Sequence, residues 1–189
     1  VKDGDFELLE LLYPSPLDVF SQLIRTSFIA GKGKTFAVAD YSAIEARVIA
    51  WLAGEEWRLE VFKTHGKIYE ASASQMFHVP IEEITKDSPL RKKGKVAELA
   101  LGYQGAVGAI KKMGGEEMGL TEEEMQHIVN AWRDSNTKIT GLWQTLEKAA
   151  KKAISHPGVD FTVQHGITFT MRGKTLYVTL PSGRALAYQ

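Results

Sequence analysis

Asp40-Tyr41-Ser42-Ala43-Ile44-Glu45-Ala46-Arg47 stands where the pattern of the chain changes. Ahead of it, Thr35-Phe36-Ala37-Val38-Ala39 is apolar and partly β-branched, which predicts a short buried strand. Behind it, Ile44, Val48, Ile49 and Leu52 recur at helical spacing as far as Gly54, a residue that suits a helix stop. The expected local structure is strand, turn, helix. Asp40 is then delivered at a strand end and Glu45 in the first turn of the helix, so that both carboxylates can border one cleft. Ser42-x-x-Glu45 also has the form of a capping box, in which Glu45 would serve only the backbone of its own helix.

Composition narrows what surrounds this stretch. The 189 residues are 44% hydrophobic, enough to bury a core as one domain or two sub-domains. Lys plus Arg is 23 and Asp plus Glu is 23, so net charge alone predicts no polyanionic partner, and a nucleic acid would have to be held by local basic patches. Absence of cysteine excludes disulfides and thiolate metal sites. No apolar run approaches the roughly 18 residues that a membrane-spanning helix needs, so no membrane partner is expected. The chain lacks an initiator Met, and Ala185 to Gln189 reads as a strand cut off in progress, so an excised piece of a larger protein is expected.

Outward from the central stretch, helices dominate. Phe6 to Leu12 is closed by Pro14 and Pro16, and Leu17, Phe20, Leu23, Ile24 and Phe28 form one helical stripe. Gly31-Lys32-Gly33-Lys34 lacks phosphate-loop spacing and reads as a plain turn. Two amphipathic helices follow between Glu55 and Phe77, separated at His65-Gly66; neither His65 nor His78 has a second ligand at metal-binding spacing. Ser88-Pro89 opens a helix in which Arg91, Lys95, Leu99 and Tyr103 are spaced by four. Each such step drifts by only about 40°, so the four form one slowly winding face whose N-terminal end is cationic. Read alone, that end is more often a solvated basic turn, since basic residues crowd many helix surfaces. Thr121 to Glu124 is a capping-box start for a helix buried through Met125, Ile128, Val129 and Trp132, and a second long helix runs through Ile139, Leu142, Trp143 and Leu146. Both are expected to be scaffold, with their Trp residues in the core. Beyond Gly158 the period becomes two, in Phe161–Val163, Ile167–Met171, Thr175–Leu180 and Arg184–Tyr188, an antiparallel meander.

Two of these stretches carry a resemblance. Asp40 to Arg47 resembles the first carboxylate motif of family A DNA polymerases, the DNA polymerase I class, whose pattern is Asp-Tyr-Ser-x-Ile-Glu-x-Arg. Arg91-x3-Lys95-x3-Leu99-x3-Tyr103 is similar to that family's nucleotide-binding helix, in the matching order and separation. Ile24-Arg25 with Phe28-Ile29-Ala30, and Leu180 to Arg184, resemble its phage and prophage members. The resemblance implies an α+β, mostly helical fold: 1–54 as partial palm, 55–158 as helical fingers with the nucleotide-binding helix at 89–104, and 159–189 as a truncated β meander of the palm sheet. It implies a DNA-templated DNA polymerase that transfers nucleotides from dNTPs to a primer 3′-hydroxyl by a two-metal mechanism. Asp40 then ligates two Mg²⁺ ions with the Tyr41 carbonyl as a second oxygen donor, and Arg91 and Lys95 hold the triphosphate. Glu45 excludes a ribose 2′-hydroxyl and bonds Tyr103, while Leu99 and Tyr69 border the nucleotide. Implied partners are primer-template DNA, dNTPs and the remaining palm and thumb; the implied location is the bacterial cytoplasm, with a phage-type origin.

Departures from the family pattern are equally legible. Leu99 stands where an aromatic residue is common, Gln104 where Gly is usual, Ala43 where many members have Gln, and Tyr69 where bacterial members have a phosphate-contacting His. The second carboxylate motif, His-Asp-Glu, does not occur in the 189 residues, so the isolated piece is expected to be inactive or nearly so. A different class of function, a non-catalytic DNA-binding replication-accessory domain on the same scaffold, is the alternative. A helical scaffold with no ligand is a third.

Overall fold

Caps and breakers set the limits of most helices, and a computed structural model of the chain describes residues 6–189. The first five residues of the expected 1–54 segment lie outside the described residues. Ser15 Oγ accepts from the Asp18 amide and Pro16 occupies the first turn of a helix that runs Pro16–Leu23 (α2), after α1 at Phe6–Leu12. Phe6 and Phe20 stack with ring centroids 6.2 Å apart. The expected single stripe to Phe28 breaks at Ile24–Ser27, which tightens into a 3₁₀ turn closed by the Phe28 amide on the Arg25 carbonyl. That change of period moves Ile24 and Phe28 off the stripe, and both are exposed, as is Leu17.

The strand expected at 35–39 does not form. These residues carry no secondary structure and are exposed, Val38 at 92%. A strand exists only as part of a ladder. Among the described residues every strand belongs to one sheet at the C-terminal end, and none pairs with this segment. Asp40 thus follows an exposed segment without secondary structure instead of a strand end.

The described chain divides into two compact units, one ending at Tyr41 and the other running from Ser42 to Gln189. In the second, α3 (Ile44–Ala53) ends at Gly54, whose φ of 69° lets its amide turn back on the Ala50 and Trp51 carbonyls. Then come α4 (Glu56–Thr64), α5 (Ile68–Phe77), α6 (Pro89–Leu101) and α7 (Val107–Lys112). The long helices α8 (Glu122–Ser135) and α9 (Thr137–Ser155) follow. The capping box at Thr121 and Glu124 forms in full, with bonds of 3.2 and 2.8 Å. Met76, Val96, Leu101, Ile110, Ile128, Val129, Trp132 and Ile139 make the main core, and Trp143 stacks on Trp132 at 5.9 Å.

The meander forms as read: β1 (Asp160–Thr162), β2 (Thr168–Arg172), β3 (Thr175–Thr179) and β4 (Ala185–Tyr188), antiparallel in sequence order. Register puts Phe161, Phe169, Val178 and Leu186 in one row across the sheet. Phe161, Phe169 and Val178 pack with Ala149 and Ala153 of α9 in a second core. The fold is therefore α+β and mostly helical. One contact fixes what matters for the site: a Cβ on Gly94 would stand 2.3 Å from the Tyr69 carbonyl oxygen, so only glycine lets α6 lie this close to α5.

Candidate functional site

α6 has two faces. Val96, Ala97, Ala100 and Leu101 are buried against the core, while Lys95 and Leu99 are exposed and Arg91 is partly covered. Ser88 caps the helix at the Leu90 amide and Pro89 fills the first turn, so the cationic end is the N-terminal end, as read. Tyr103 is not on this helix. α6 stops at Leu101, not at 104, because Gly102 caps it and Gln104 takes a left-handed φ of 63°. The following Gly105 fits only without a side chain, since its Cβ would lie 2.0 Å from the Ala100 carbonyl oxygen.

The turn nevertheless brings Tyr103 to Glu45. Both line a cavity of about 320 Å³ walled by Ile44, Val48, Ile49 and Leu52 of α3. Partial desolvation of its phenol, the negative charge of Glu45 and a hydrogen bond to that carboxylate hold the Tyr103 pKa above its ordinary value. The capping box that competes for Glu45 does not form. Ala43 takes the N-cap position with φ 51° and no side chain caps the helix, while Arg47 Nε donates to the Ser42 carbonyl at 2.9 Å. Arg47 also lies over the Phe62 ring, 4.3 Å from its centroid.

At the other end of the α6 edge, Arg91 Nε donates to Glu70 Oε1 at 2.6 Å, and its guanidinium lies 5.6 Å from the centroid of the Tyr69 ring. Arg91 and Tyr69, both expected from the sequence, are thus brought together. Glu70 was not expected, because its only signal is to follow Tyr69 on α5; the pairing with α6 is non-local. Asp40 and Tyr41 end the first compact unit, and both are exposed, Tyr41 at 80%.

Sequence reading also missed a buried polar cluster behind α6. Glu98 accepts hydrogen bonds from both terminal nitrogens of Arg58, from Ser72 Oγ at 2.7 Å and from Trp132 Nε1 at 2.9 Å; Arg58 also donates to Asn136 Oδ1 at 2.8 Å. Four helices, α4, α5, α6 and α8, are tied at one point through Glu98. The available signal was Glu98 itself, a charge placed among the apolar positions Ala97, Ala100 and Leu101.

Residues 17–163 match the model of DNA polymerase family A. The chain belongs to DNA polymerase family A. All eight site residues read from the sequence, from Asp40 to Tyr103, lie inside that match. The DNA polymerase of Bacillus phage SP02 is 60% identical over the whole chain, which covers 29% of that protein. DNA polymerase I of Pseudomonas aeruginosa is 28% identical over 82% of the chain, and the thermostable DNA polymerase I of Thermus aquaticus 32% identical over 69%, each match covering 15% of the relative. The chain thus spans less than a third of the length of these family A relatives. No helix among its described residues is long and apolar enough to cross a membrane.

Proposed function

We infer that this chain is the nucleotide-binding part of a DNA-directed DNA polymerase that extends a primer 3′-hydroxyl with dNTPs on a DNA template. The observation that carries the reading is the match of the whole chain, at 60% identity, to a protein named DNA polymerase. Its geometry is consistent with that role: an edge of α6 with Arg91 and Lys95 toward one end, and a Glu45–Tyr103 pair at a cavity near the other. In this reading residues 1–54 belong to the palm, 55–158 to the fingers and 159–189 to the palm sheet, and the parent protein works in the cytoplasm of a bacterial host.

Asp40 and Tyr41 supply one carboxylate and one carbonyl, hard oxygens of the kind magnesium takes while keeping waters and substrate phosphates as its other ligands. Among the described residues no group of three or more His, Cys, Asp or Glu side chains is placed to hold a metal, so the fit depends on those substrate oxygens. Magnesium, when bound, lowers the pKa of the primer hydroxyl and offsets charge on the triphosphate. Arg91 holds phosphate oxygens through paired hydrogen bonds and Lys95 through a mobile point charge. Leu99 gives the nucleotide an apolar rather than an aromatic neighbour, and Tyr69 supports Arg91 from below.

Glu45, beside Tyr103 at the cavity, narrows the space for a sugar 2′-hydroxyl, so deoxynucleotides are favoured. In the full-length protein Glu45→Ala is expected to reduce discrimination against ribonucleotides by roughly 10–100-fold, the range a pocket achieves against one added hydroxyl. Ratios of kcat/KM for dNTP and rNTP measure it. An unchanged ratio removes Glu45 from sugar selection.

A further inference from the structure

Resting on the triphosphate role of Arg91, the geometry points to Glu70 as a positioning residue that sets which edge of the Arg91 guanidinium meets phosphate. Of the three nitrogens of Arg91, Nε hydrogen-bonds Glu70 Oε1 at 2.6 Å. A guanidinium held at Nε offers its two terminal nitrogens as a fork for two phosphate oxygens and cannot present its side edge. The ion pair is largely shielded, with side-chain exposures of 24% for Arg91 and 13% for Glu70, so it is not a loose surface contact. The ring of Tyr69 supports the same guanidinium from an adjacent position on α5.

The helix that carries Glu70 cannot drift along α6, because Gly94 packs directly on the Tyr69 carbonyl. Glu70 is therefore fixed in register with Arg91, and the two line a cavity of about 570 Å³ together with Lys67 and Lys86. The carboxylate costs some attraction for a triphosphate. What it returns is a preset orientation, so that less side-chain freedom is lost when nucleotide binds.

The test uses full-length protein with a primer-template and a single complementary dNTP. Glu70→Ala is expected to raise KM for the dNTP about tenfold with kcat changed much less, the size of effect that a misplaced binding group produces. Glu70→Gln keeps an oxygen acceptor for Nε and is expected to stay within about threefold of wild type. Arg91→Ala and Lys95→Ala, measured alongside, separate the two claims. If they weaken dNTP binding and Glu70→Ala does not, the positioning role is overturned while the triphosphate role stands. If neither weakens it, the triphosphate role itself fails. A thermal melt completes the set: Glu70→Ala that lowers Tm but leaves KM unchanged makes Glu70 a structural tie only, which also overturns the proposal.

Discussion

Asp40→Ala in the full-length protein is expected to abolish primer extension, by about a thousandfold or more, while leaving primer-template affinity within about threefold. The size follows from the role assigned to the carboxylate. Positioning a metal that stabilises developing charge contributes several kcal/mol to a transition state, and each 1.4 kcal/mol or so is a factor of about ten in rate. The structure makes the experiment clean. In this chain Asp40 is exposed in a segment without secondary structure, so its side chain is not part of the packed core. Lost extension with an unchanged melting temperature therefore reports chemistry. Single-turnover extension and a DNA-binding titration measure the two sides. Extension that survives the substitution removes Asp40 from the metal role.

Glu98→Ala is expected to destabilise the helical unit by roughly 3–5 kcal/mol, the cost of leaving a buried charge without its partner. Arg58 is 1% exposed and Glu98 8%, so little water reaches either, although both border the cavity at Glu45 and Tyr103. Arg58 would keep only Asn136 Oδ1, with the Trp57 and Trp132 rings 5.3 and 5.7 Å from its guanidinium, and Ser72 and Trp132 would each lose an acceptor. Replacing both charges at once, as Arg58→Met with Glu98→Leu, is expected to recover most of the loss, because no buried ion then remains. Urea unfolding of the chain gives both values. A single-mutant loss below about 1 kcal/mol would mean that water reaches Arg58 and that the cluster is not sealed.

Local chemistry explains what the sequence disclosed. Ser88-Pro89, the Thr121–Glu124 box, Gly54 as a helix stop and the glycine turns of the meander each act within a few residues, so spacing alone locates them. The errors lie where the outcome depends on distant partners. Thr35 to Ala39 has strand composition, but a strand needs a neighbour, and β propensity does not supply one. Ser42 and Glu45 have the spacing of a capping box, yet Ala43 turns left-handed at the N-cap and Glu45 is drawn to Tyr103. Helical spacing put Tyr103 on α6; Gly102 and Gln104 place it in a turn that still reaches the same cavity. Arg91, Lys95 and Leu99 were legible as one edge of a helix. Glu70 was not, because the contact that gives it meaning crosses from α5 to α6.

Template-directed DNA synthesis is read out by single-nucleotide incorporation with the full-length protein. With a labelled primer-template and magnesium, the primer is predicted to lengthen by one residue with the dNTP complementary to the template, far more slowly with the other three, and not at all when the metal is chelated. A protein that binds the primer-template yet leaves the primer unextended with all four dNTPs and magnesium would rule out a polymerase role and make this chain part of a DNA-binding scaffold instead.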